Sequence, residues 1–398
     1  MRIALFTDTY LPQKNGVAVA VNQLKHELVK MGHEVFVYTI HIPNDTNELE
    51  EQVVRSRAVM VPKLGAEENL WALPNRMRIL HQLKKDKVEI IHTHTELPQG
   101  MTGRYCAKAM KIPHIHTVHT MWADYKHYLF RGRLLTERNI AFAYHFFLRK
   151  VTAIIAPSQK AQDFLTHIQI KGVRINNGVD ASLFFSQTNK EIQQKILSDF
   201  GILPEQKVIL FVGRIAPEKR ARELFALLTN VMQEQDDVVA IFIGDGVDAE
   251  SLKAEAISLN LTKRMIFAGR VEHAQMVNYY AIAHLYVTIS LSEVQPMTLI
   301  EALLSGLPII SRQDSAYIGL VVDGVNGSQH ATDEAVGEAI ISLLRDEAIY
   351  ARYREGSLAL AKDFTAQGNA QKTLALYEQA VAMGRPEVFH KGPLIYDQ

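Results

Sequence analysis

Of the 398 residues, 47% are hydrophobic and 22% are charged, which is ordinary for a soluble globular protein. A chain of this length exceeds one typical hydrophobic core, so we expect two domains. The single cysteine, Cys106, excludes an intrachain disulfide and a zinc site built on thiolates, and it fits a reducing, cytoplasmic compartment.

The N-terminal segment MRIALFTDTYLP predicts a first strand and not a signal peptide, because its apolar run is short and Asp8 follows it. No run approaches the roughly 18 apolar residues of a membrane-spanning helix. The net charge is zero but unevenly distributed, with +8 on residues 1–180 and −8 on the remainder. Either the first half meets an anionic surface or the two halves attract each other across a cleft, and charge alone leaves both open.

Apolar runs alternate with helical patterns in the first half. The first helix, VAVAVNQLKHELVKMG, ends at Gly32, and strands are predicted at MRIALFTD, EVFVYTI, VEIIHTH, PHIHTVH and VTAIIAPS. Such alternation predicts a doubly wound parallel sheet of the α/β class. Gly16 falls where the first loop enters the first helix, and glycine there lets the backbone approach a ligand closely.

The segment VRINNGVDASLFFSQTNKE loses this periodicity and predicts a connection between domains. The pattern then restarts, with strands at KVILFVGR, DVVAIFIGDG, RMIFAGR, HLYVTIS and LPIISR. We therefore predict two Rossmann-like domains that face one cleft, over residues 1–180 and 200–374, with a tail at 375–398 that packs back on the first.

The segment SLSEVQPMTLIEALLSGLPII is the most informative of the chain. Its pattern places Glu293 in a loop after a buried strand and Glu301 about a turn into the next helix. Such loops bind ligands in open α/β sheets, where helix N–H groups face anions and carboxylates accept hydrogen bonds from hydroxyls. A nucleotide sugar offers both chemistries. A surface helix with an acidic first turn is the alternative.

Arg214 and Lys219 flank the start of another helix in FVGRIAPEKRARELF, after a predicted strand of the same sheet. Two cations at that edge can clamp a diphosphate. Lys219 as a solvated surface residue is the alternative.

Histidines alternate along two predicted strands, where His92 shares a face with His94 and His114 with His116. Such pairs bind a metal or are hydrogen-bonded strand ends. His119 follows the strand and lies where the chain leaves the sheet. No Asp-x-Asp pair occurs, so we expect no metal site, and cations and helix N-termini would neutralise a leaving diphosphate.

Two segments, NLWALPNRMRILHQLKK and HYLFRGRLLTERNIAFAYHFFLRK, mix large apolar and basic residues. In the first, Leu73, Met77, Leu80 and Leu83 form an apolar stripe at helical spacing. The composition is typical of a helix in a membrane interface, and equally of an amphipathic helix packed on its own domain.

Together these motifs resemble the retaining glycosyltransferases of family 4, which have the GT-B fold. The resemblance covers nearly the whole chain and rests on GVAVAVNQLKHELVKMGHEV, PSQKAQDFL, NNGVD, FVGRIAPEK, GDG, FAGRV and the segment with Glu293 and Glu301. The stretch IIHTHTELPQGMTGRYCAKAMKIPHIHTVHTMWADYKHY is similar to the bacterial diacylglycerol 3-α-glucosyltransferases.

The resemblance implies a role for each matching position. His119 and Glu293 would act at the reaction centre. Donor binding would fall to Gly16, Arg214, Lys219, Gln295, Met297, Thr298 and Glu301. Lipid acceptor and membrane contacts would fall to Trp71, Arg76, Arg78, Lys84, Lys85, Asp124 and Tyr125.

The implied activity is transfer of glucose or galactose from a UDP-sugar to a diacylglycerol-type lipid. The enzyme would be peripheral on the anionic inner face of the cell membrane, with no cofactor and no nucleic-acid partner. A soluble or cell-wall acceptor, a non-catalytic accessory subunit and a nucleotide-sugar epimerase stay open as alternatives. Two residues depart from the family pattern, Pro296 in place of Gly and Arg220 in place of Gly or Asn.

Overall fold

The computed structural model describes residues 1–13, 15–42, 50–60, 70–120, 137–148, 150–186 and 189–384. The chain forms two compact units, one of residues 1–178 with the segment from 366 onward, and one of residues 179–365. The boundaries thus differ from the predicted 200 and 374. Helices before residue 200 pack on the second unit, and the return to the first unit begins at 366.

In the first unit, the described residues form a seven-stranded parallel sheet in the order β3-β2-β1-β6-β7-β8-β9, and β4 and β5 form a separate antiparallel pair. The strands are β1 Arg2–Phe6, β2 Glu34–Ile40, β3 Val53–Ser56, β4 Ala58–Met60, β5 Leu70–Ala72, β6 Ile90–Thr93, β7 His114–Thr117, β8 Ala153–Ala156 and β9 Val173–Arg174. The helices are α1 Gly16–Lys30, α2 Arg76–Lys85, α3 Pro98–Met110, α4 Glu137–Leu148, α5 Gln159–His167 and, from the end of the chain, α14 Ala366–Ala382.

Helix α14 belongs to the core of the first unit because its small and aromatic residues face α1 and the sheet. Ala370, Leu376 and Tyr377 are buried in one cluster with the apolar side chains of β1 and α1. Removing these side chains from water stabilises the unit by about 25 cal/mol per Å² of apolar surface. The last described part of the chain is therefore structural for the first sheet.

The second unit repeats the winding in a six-stranded parallel sheet of the order β12-β11-β10-β13-β14-β15 within the described residues. Its strands are β10 Lys207–Val212, β11 Val238–Ile243, β12 Met265–Gly269, β13 Leu285–Thr288, β14 Ile309–Arg312 and β15 Gly327–His330. Its helices are α6 Ala181–Ser186, α7 Lys190–Asp199, α8 Ala221–Glu234, α9 Ala249–Ser258, α10 His273–Ile282, α11 Met297–Leu304, α12 Asp333–Arg345 and α13 Glu347–Ala361.

Both sheets are doubly wound, which confirms the predicted α/β class. The strand order reverses between β1 and β6 in the first unit and between β10 and β13 in the second. Ligands of open α/β sheets bind at the carboxyl ends of the strands where such a reversal occurs. The GDG motif shows how closely strand ends approach there, since a Cβ on Gly244 would lie 1.9 Å from the carbonyl oxygen of Gly213.

Candidate active site

The switch point of the second unit brings together two residues that lie far apart in sequence. Lys219 ends a one-turn 3₁₀ helix, Pro217–Lys219, in the loop after β10, and Glu293 lies in the loop after β13. The Lys219 Nζ is 2.5 Å from Glu293 Oε1, and both side chains are mostly buried. An ammonium and a carboxylate are therefore fixed at the position where the sequence predicts donor binding.

Arg214 extends from the same loop and keeps nearly half of its side chain exposed. Its Nη1 donates to Glu218 Oε1 at 3.0 Å, and the Glu218 side chain is 1% exposed. A buried carboxylate thus holds the guanidinium in one direction while its other donors face outward. The sequence interpretation assigns no role to Glu218.

Hydroxyl groups also join the loop after β13 to the loops after β10 and β14, independently of the charges. Ser292 donates its Oγ–H to the carbonyl oxygen of Glu218 at 2.7 Å, and Tyr317 donates to the carbonyl oxygen of Ser290 at 2.6 Å. These contacts flank Lys219 and Glu293 on the chain. A serine in a loop gives no such signal in sequence, because its partner depends on the tertiary structure.

Helix α11 presents its N-terminus at this edge of the sheet. Pro296 is the N-cap, and Met297 and Thr298 are the first two helical residues. The backbone N–H groups of a first turn have no acceptor within their helix. Because Pro296 lies outside the helix, its missing N–H removes none of the first-turn donors. Gln295, just before the cap, is buried.

Glu301 is another charged residue that the sequence predicts to bind the donor substrate, and it is 4% exposed. Its Oε1 lies 3.1 Å from His273 Nε2, and its Oε2 accepts from the Tyr280 hydroxyl at 2.8 Å. The hydrogen bond to Glu301 raises the pKa of His273 against the opposing effect of burial. Each carboxylate oxygen has a second lone pair, so Glu301 keeps capacity for a ligand hydroxyl. The sequence interpretation identified neither partner.

The carboxyl edge of the first sheet carries a pair of histidines in contact. His119 Nε2 lies 3.0 Å from His94 Nδ1, and the rings stack. Burial lowers the pKa of His119 to about 3, with a smaller effect from His116. His119 is therefore neutral near pH 7, and it can offer one ring nitrogen as donor or acceptor while the other bonds to His94.

Three of the four strand histidines, His92, His114 and His116, bond to hydroxyl groups. His92 contacts the Tyr377 hydroxyl at 2.6 Å and Thr117 Oγ1 at 2.7 Å. Thr93 Oγ1 lies 2.8 Å from a ring nitrogen of both His114 and His116. Within the described ranges, no group of three or more His, Cys, Asp or Glu is placed to hold a metal ion.

Gly16 is the first residue of α1, whose N-cap Asn15 accepts from the Ala18 N–H at 3.0 Å. Near it in sequence, Asp8 accepts from the Thr95 hydroxyl at 2.6 Å and from the Gln99 N–H at 3.0 Å, at the start of α3. Burial raises the pKa of Asp8 to about 6 despite these hydrogen bonds. The sequence interpretation gave Asp8 no role, although an acid directly after the first strand was a usable signal.

The predicted apolar stripe of α2 is split by the structure. Leu80 and Leu83 are buried in a core cluster below the sheet, so this part of the helix packs on its own unit. Leu73 and Met77 stay exposed, because they lie at and before the helix N-terminus, beyond that core. The packed-helix interpretation is right for the second half of α2 and wrong for its beginning.

Exposed apolar side chains lie near the N-terminal end of α2, on α3 and on α4. They are Trp71, Leu73, Met77, Met101 and Tyr105, with Phe142 and Phe146 on α4. An open groove of about 480 Å³ lies between β5 and α3 and is lined by Trp71, Ala72, Leu73, Pro74, Arg76, Pro98 and Met101. We call these exposed side chains and the groove the apolar face of the first unit.

Cations lie beside the apolar face. The Arg76 guanidinium is 5.8 Å from the centroid of the Tyr105 ring, and that of Arg104 is 5.2 Å from the Phe146 ring. Arg78, near the start of α2, and Lys84 and Lys85, in its last turn, are also exposed.

Asp124 and Tyr125, the other two predicted acceptor residues, lie outside the described residues. In the part of the chain that is described, none of the helices combines the length and the apolar character needed to cross a bilayer.

Known protein families match both halves of the chain. The Glycosyltransferase Family 4 profile matches residues 14–183, and the Glycosyl transferases group 1 profile matches residues 192–358. An alpha-monoglucosyldiacylglycerol synthase of Streptococcus pneumoniae is 32% identical over 86% of this chain and 78% of its own. An enzyme of the same name from Acholeplasma laidlawii is 28% identical over 95% of this chain and 96% of its own.

A crystal structure of Anabaena Alr3699/HepE in complex with UDP-glucose has the same fold. The TM-score is 0.76 at 17% sequence identity, over 95% of this chain and all of the other. The chain therefore belongs to glycosyltransferase family 4, and it is a hexosyltransferase with the GT-B fold.

Proposed function

We propose that this enzyme transfers glucose, or alternatively galactose, from a UDP-sugar to a diacylglycerol-type lipid at the inner surface of the cell membrane. The observation that carries the proposal is the Lys219–Glu293 pair at the switch point of the second sheet. The two relatives named as monoglucosyldiacylglycerol synthases support the acceptor, and the neighbour with bound UDP-glucose supports the donor.

In the proposed complex, Lys219 and Arg214 bind the diphosphate of the donor. The first-turn N–H groups of α11, at Met297 and Thr298, add backbone donors for the same anion. Glu293 accepts from hydroxyls of the sugar while Lys219 holds it, and Glu301 accepts from the ribose. Gln295 lies between these groups on the chain.

The chemistry needs a good leaving group and a deprotonated acceptor. The bond from the sugar C1 to the diphosphate oxygen breaks, and a bond from C1 to the acceptor oxygen forms on the same face. The departing diphosphate takes the proton of the acceptor hydroxyl, so the α configuration is retained without a protein nucleophile. Lys219 and Arg214 stabilise the negative charge that develops on the diphosphate, as positioned donors do at a developing charge.

His119 has a different task because it is neutral. It donates or accepts one hydrogen bond at the donor sugar and orients it without attracting the diphosphate. Its partner His94 takes the other ring nitrogen, which fixes the ring.

The apolar face of the first unit is where we place the lipid. Trp71 and its groove take acyl chains, and Arg76, Arg78, Lys84 and Lys85 face anionic headgroups. Each cation near such a surface contributes about 1 kcal/mol of binding. The excess of positive charge in residues 1–180 acts in the same direction.

Vesicles that contain diacylglycerol and an anionic phospholipid, incubated with UDP-glucose or UDP-galactose without added metal, test the proposal by mass detection of the glycolipid. We expect one donor to give a monohexosyl lipid. Transfer to a soluble sugar acceptor with none to lipid would contradict the acceptor. Binding of UDP without any transfer would favour the accessory-subunit alternative.

A further inference from the structure

Lys219 is followed by a residue in a conformation that side chains with a Cβ disfavour. Arg220 has φ 53° and ψ 39°, the left-handed region, where it ends the 3₁₀ helix and precedes α8. Glycine or asparagine adopts this conformation more readily. An arginine here indicates that its side chain makes contacts that offset the strain of its backbone.

The contacts of the Arg220 guanidinium reach two other loops. Its Nη1 and Nη2 donate to Asp333 Oδ1 and Oδ2 at 3.1 and 2.7 Å, a two-point pair with the first residue of α12. Its Nη1 also reaches the carbonyl oxygen of Ile289 at 3.4 Å, directly after β13. Ile289 is four residues before Glu293, so one side chain links the Lys219 loop to the Glu293 loop.

Asp333 is held from a second side. Arg312, the last residue of β14, donates through Nη1 to Asp333 Oδ1 at 2.5 Å. All three side chains are about one-fifth exposed. Burial alone would raise the pKa of Asp333, but hydrogen bonds from Arg220 and Arg312 leave it lowered. The carboxylate is thus charged and fixed, and a planar guanidinium that bonds to both of its oxygens is fixed with it.

This cluster, Arg220–Asp333–Arg312, follows the carboxyl edge of the second sheet across four adjacent strands. Arg220 comes after β10, Ile289 after β13, Arg312 ends β14, and Asp333 begins the helix after β15. Arg220 directly follows Lys219, so the cluster anchors the backbone next to the lysine.

We propose that Arg220, locked by Asp333 and Arg312, is a positioning residue that holds the Lys219 ammonium beside Glu293 for the donor diphosphate. The role rests on the proposed function, since it assumes that Lys219 binds the donor. The two-point pair with Asp333 orients the Arg220 guanidinium, whose Nε also lies 3.5 Å from Glu223 Oε1 on its own helix.

Calorimetric titration of the full chain with UDP tests this role in two single variants of Arg220 and in one double variant. Arg220→Gly removes the side chain and suits the left-handed backbone, whereas Arg220→Lys keeps the charge and loses the two-point pair. We expect UDP affinity to fall about tenfold in the first and about fivefold in the second, within the range of lost charge-assisted hydrogen bonds. In a Lys219→Ala background, Arg220→Gly should add less than about twofold, because residues acting through one another are non-additive.

Arg222→Ala is the matched control. Arg222 lies on the same helix and pairs with Glu255 and Ser251 away from the loops, so its loss should leave UDP affinity unchanged. Uridine, measured as a competitor, reports the rest of the site. Its affinity should be unchanged in Arg220→Gly, because uridine has no phosphate for Lys219 to bind.

Wild-type UDP affinity in Arg220→Lys would overturn the positioning role, as charge alone would then suffice. An equal loss with and without Lys219 would show that Arg220 acts independently of it, and a parallel loss of uridine would show general damage to the unit. Each of these leaves the proposed function intact. No UDP binding by the wild type would instead overturn the donor assignment, and the positioning role with it.

Discussion

In the second unit, the loops at the switch point pair Lys219 with Glu293 and Arg214 with the buried Glu218. In the first unit, the corresponding edge holds stacked neutral histidines and a buried aspartate whose pKa is raised to about 6. The two sheets share one winding, so the difference lies in the loops alone. The same winding thus carries two fixed ion pairs at one edge and a pair of neutral histidines beside a buried carboxylate at the other.

The largest expected effect comes from removing the ammonium group of Lys219 in the second unit. Lys219→Ala should lower kcat/KM for the UDP-sugar by about 10²–10³-fold, the usual loss for one positioned donor at a developing charge. UDP affinity should fall as well, because the diphosphate is present in both the donor and the product.

Transfer kinetics over a range of donor concentrations, together with UDP titration, check this prediction. Arg222→Ala removes a cation from the adjacent helix and should behave like the wild type. Near wild-type kinetics for Lys219→Ala would contradict the proposal that Lys219 binds the donor diphosphate.

His119→Ala tests the neutral half. We expect kcat to fall about 30-fold, which corresponds to the loss of one hydrogen bond of about 2 kcal/mol to the reacting sugar. UDP affinity should stay unchanged, since His119 is neutral and is assigned to the sugar.

Transfer kinetics and UDP titration check this prediction as well. The control is His26→Ala, on the exposed side of α1. Weaker UDP binding without a change in kcat would assign His119 to the diphosphate and break the contrast between the two edges.

The basic residues of α2 should affect lipid binding and not donor binding. Replacing Lys84 and Lys85 together by Gln removes two exposed cations, each contributing about 1 kcal/mol at an anionic surface. Partition onto anionic vesicles should therefore fall about 30-fold in low salt.

Co-sedimentation at two salt concentrations checks the effect, because screening should reduce the wild-type advantage. Lys195→Gln with Lys263→Gln, two exposed cations of the second unit, is the control pair. Equal losses of vesicle binding from both pairs would indicate that the net charge of the protein, and not a membrane-facing helix, is responsible for the binding.

Acid should destabilise the first unit through its histidines. Burial lowers the pKa of His92 well below 6.5, and nearby histidines lower it further. Above pH 6.5 the ring is neutral in both states. As the pH falls below 6.5, the unfolded chain binds a proton that the folded state refuses, so stability falls by up to about 1.4 kcal/mol per pH unit for one such group.

His92→Gln should make this acid-side decline of the unfolding free energy shallower, as measured by chemical denaturation between pH 7 and 5. His26→Gln should leave the slope of the wild type. His273 in the second unit has a raised pKa and the opposite sign, since its contribution is complete below 6.5 and is lost as the pH rises through the folded pKa. An unchanged slope in His92→Gln would contradict its buried, neutral state.

Much of the fold could be predicted because it depends on local patterns. Buried runs such as KVILFVGR form strands wherever apolar residues must leave water, and alternation with helices leaves a parallel sheet as the arrangement that covers both faces. The family assignment from the ordered motifs is confirmed, as are the α/β class and the hexosyltransferase activity. The roles of the individual site residues remain predictions.

The sequence determined which residues end strands, and therefore that Lys219 and Glu293 belong to one edge of one sheet. Only the tertiary structure decided that Lys219 pairs with Glu293, that Glu301 is shared with His273 and Tyr280, and that Arg220 is held by Asp333. Strand ends follow from local apolar periodicity, which is written in neighbouring residues. A partner 21 to 113 positions away is selected by how loops and helices converge after the sheet has formed, and no local pattern encodes that distance.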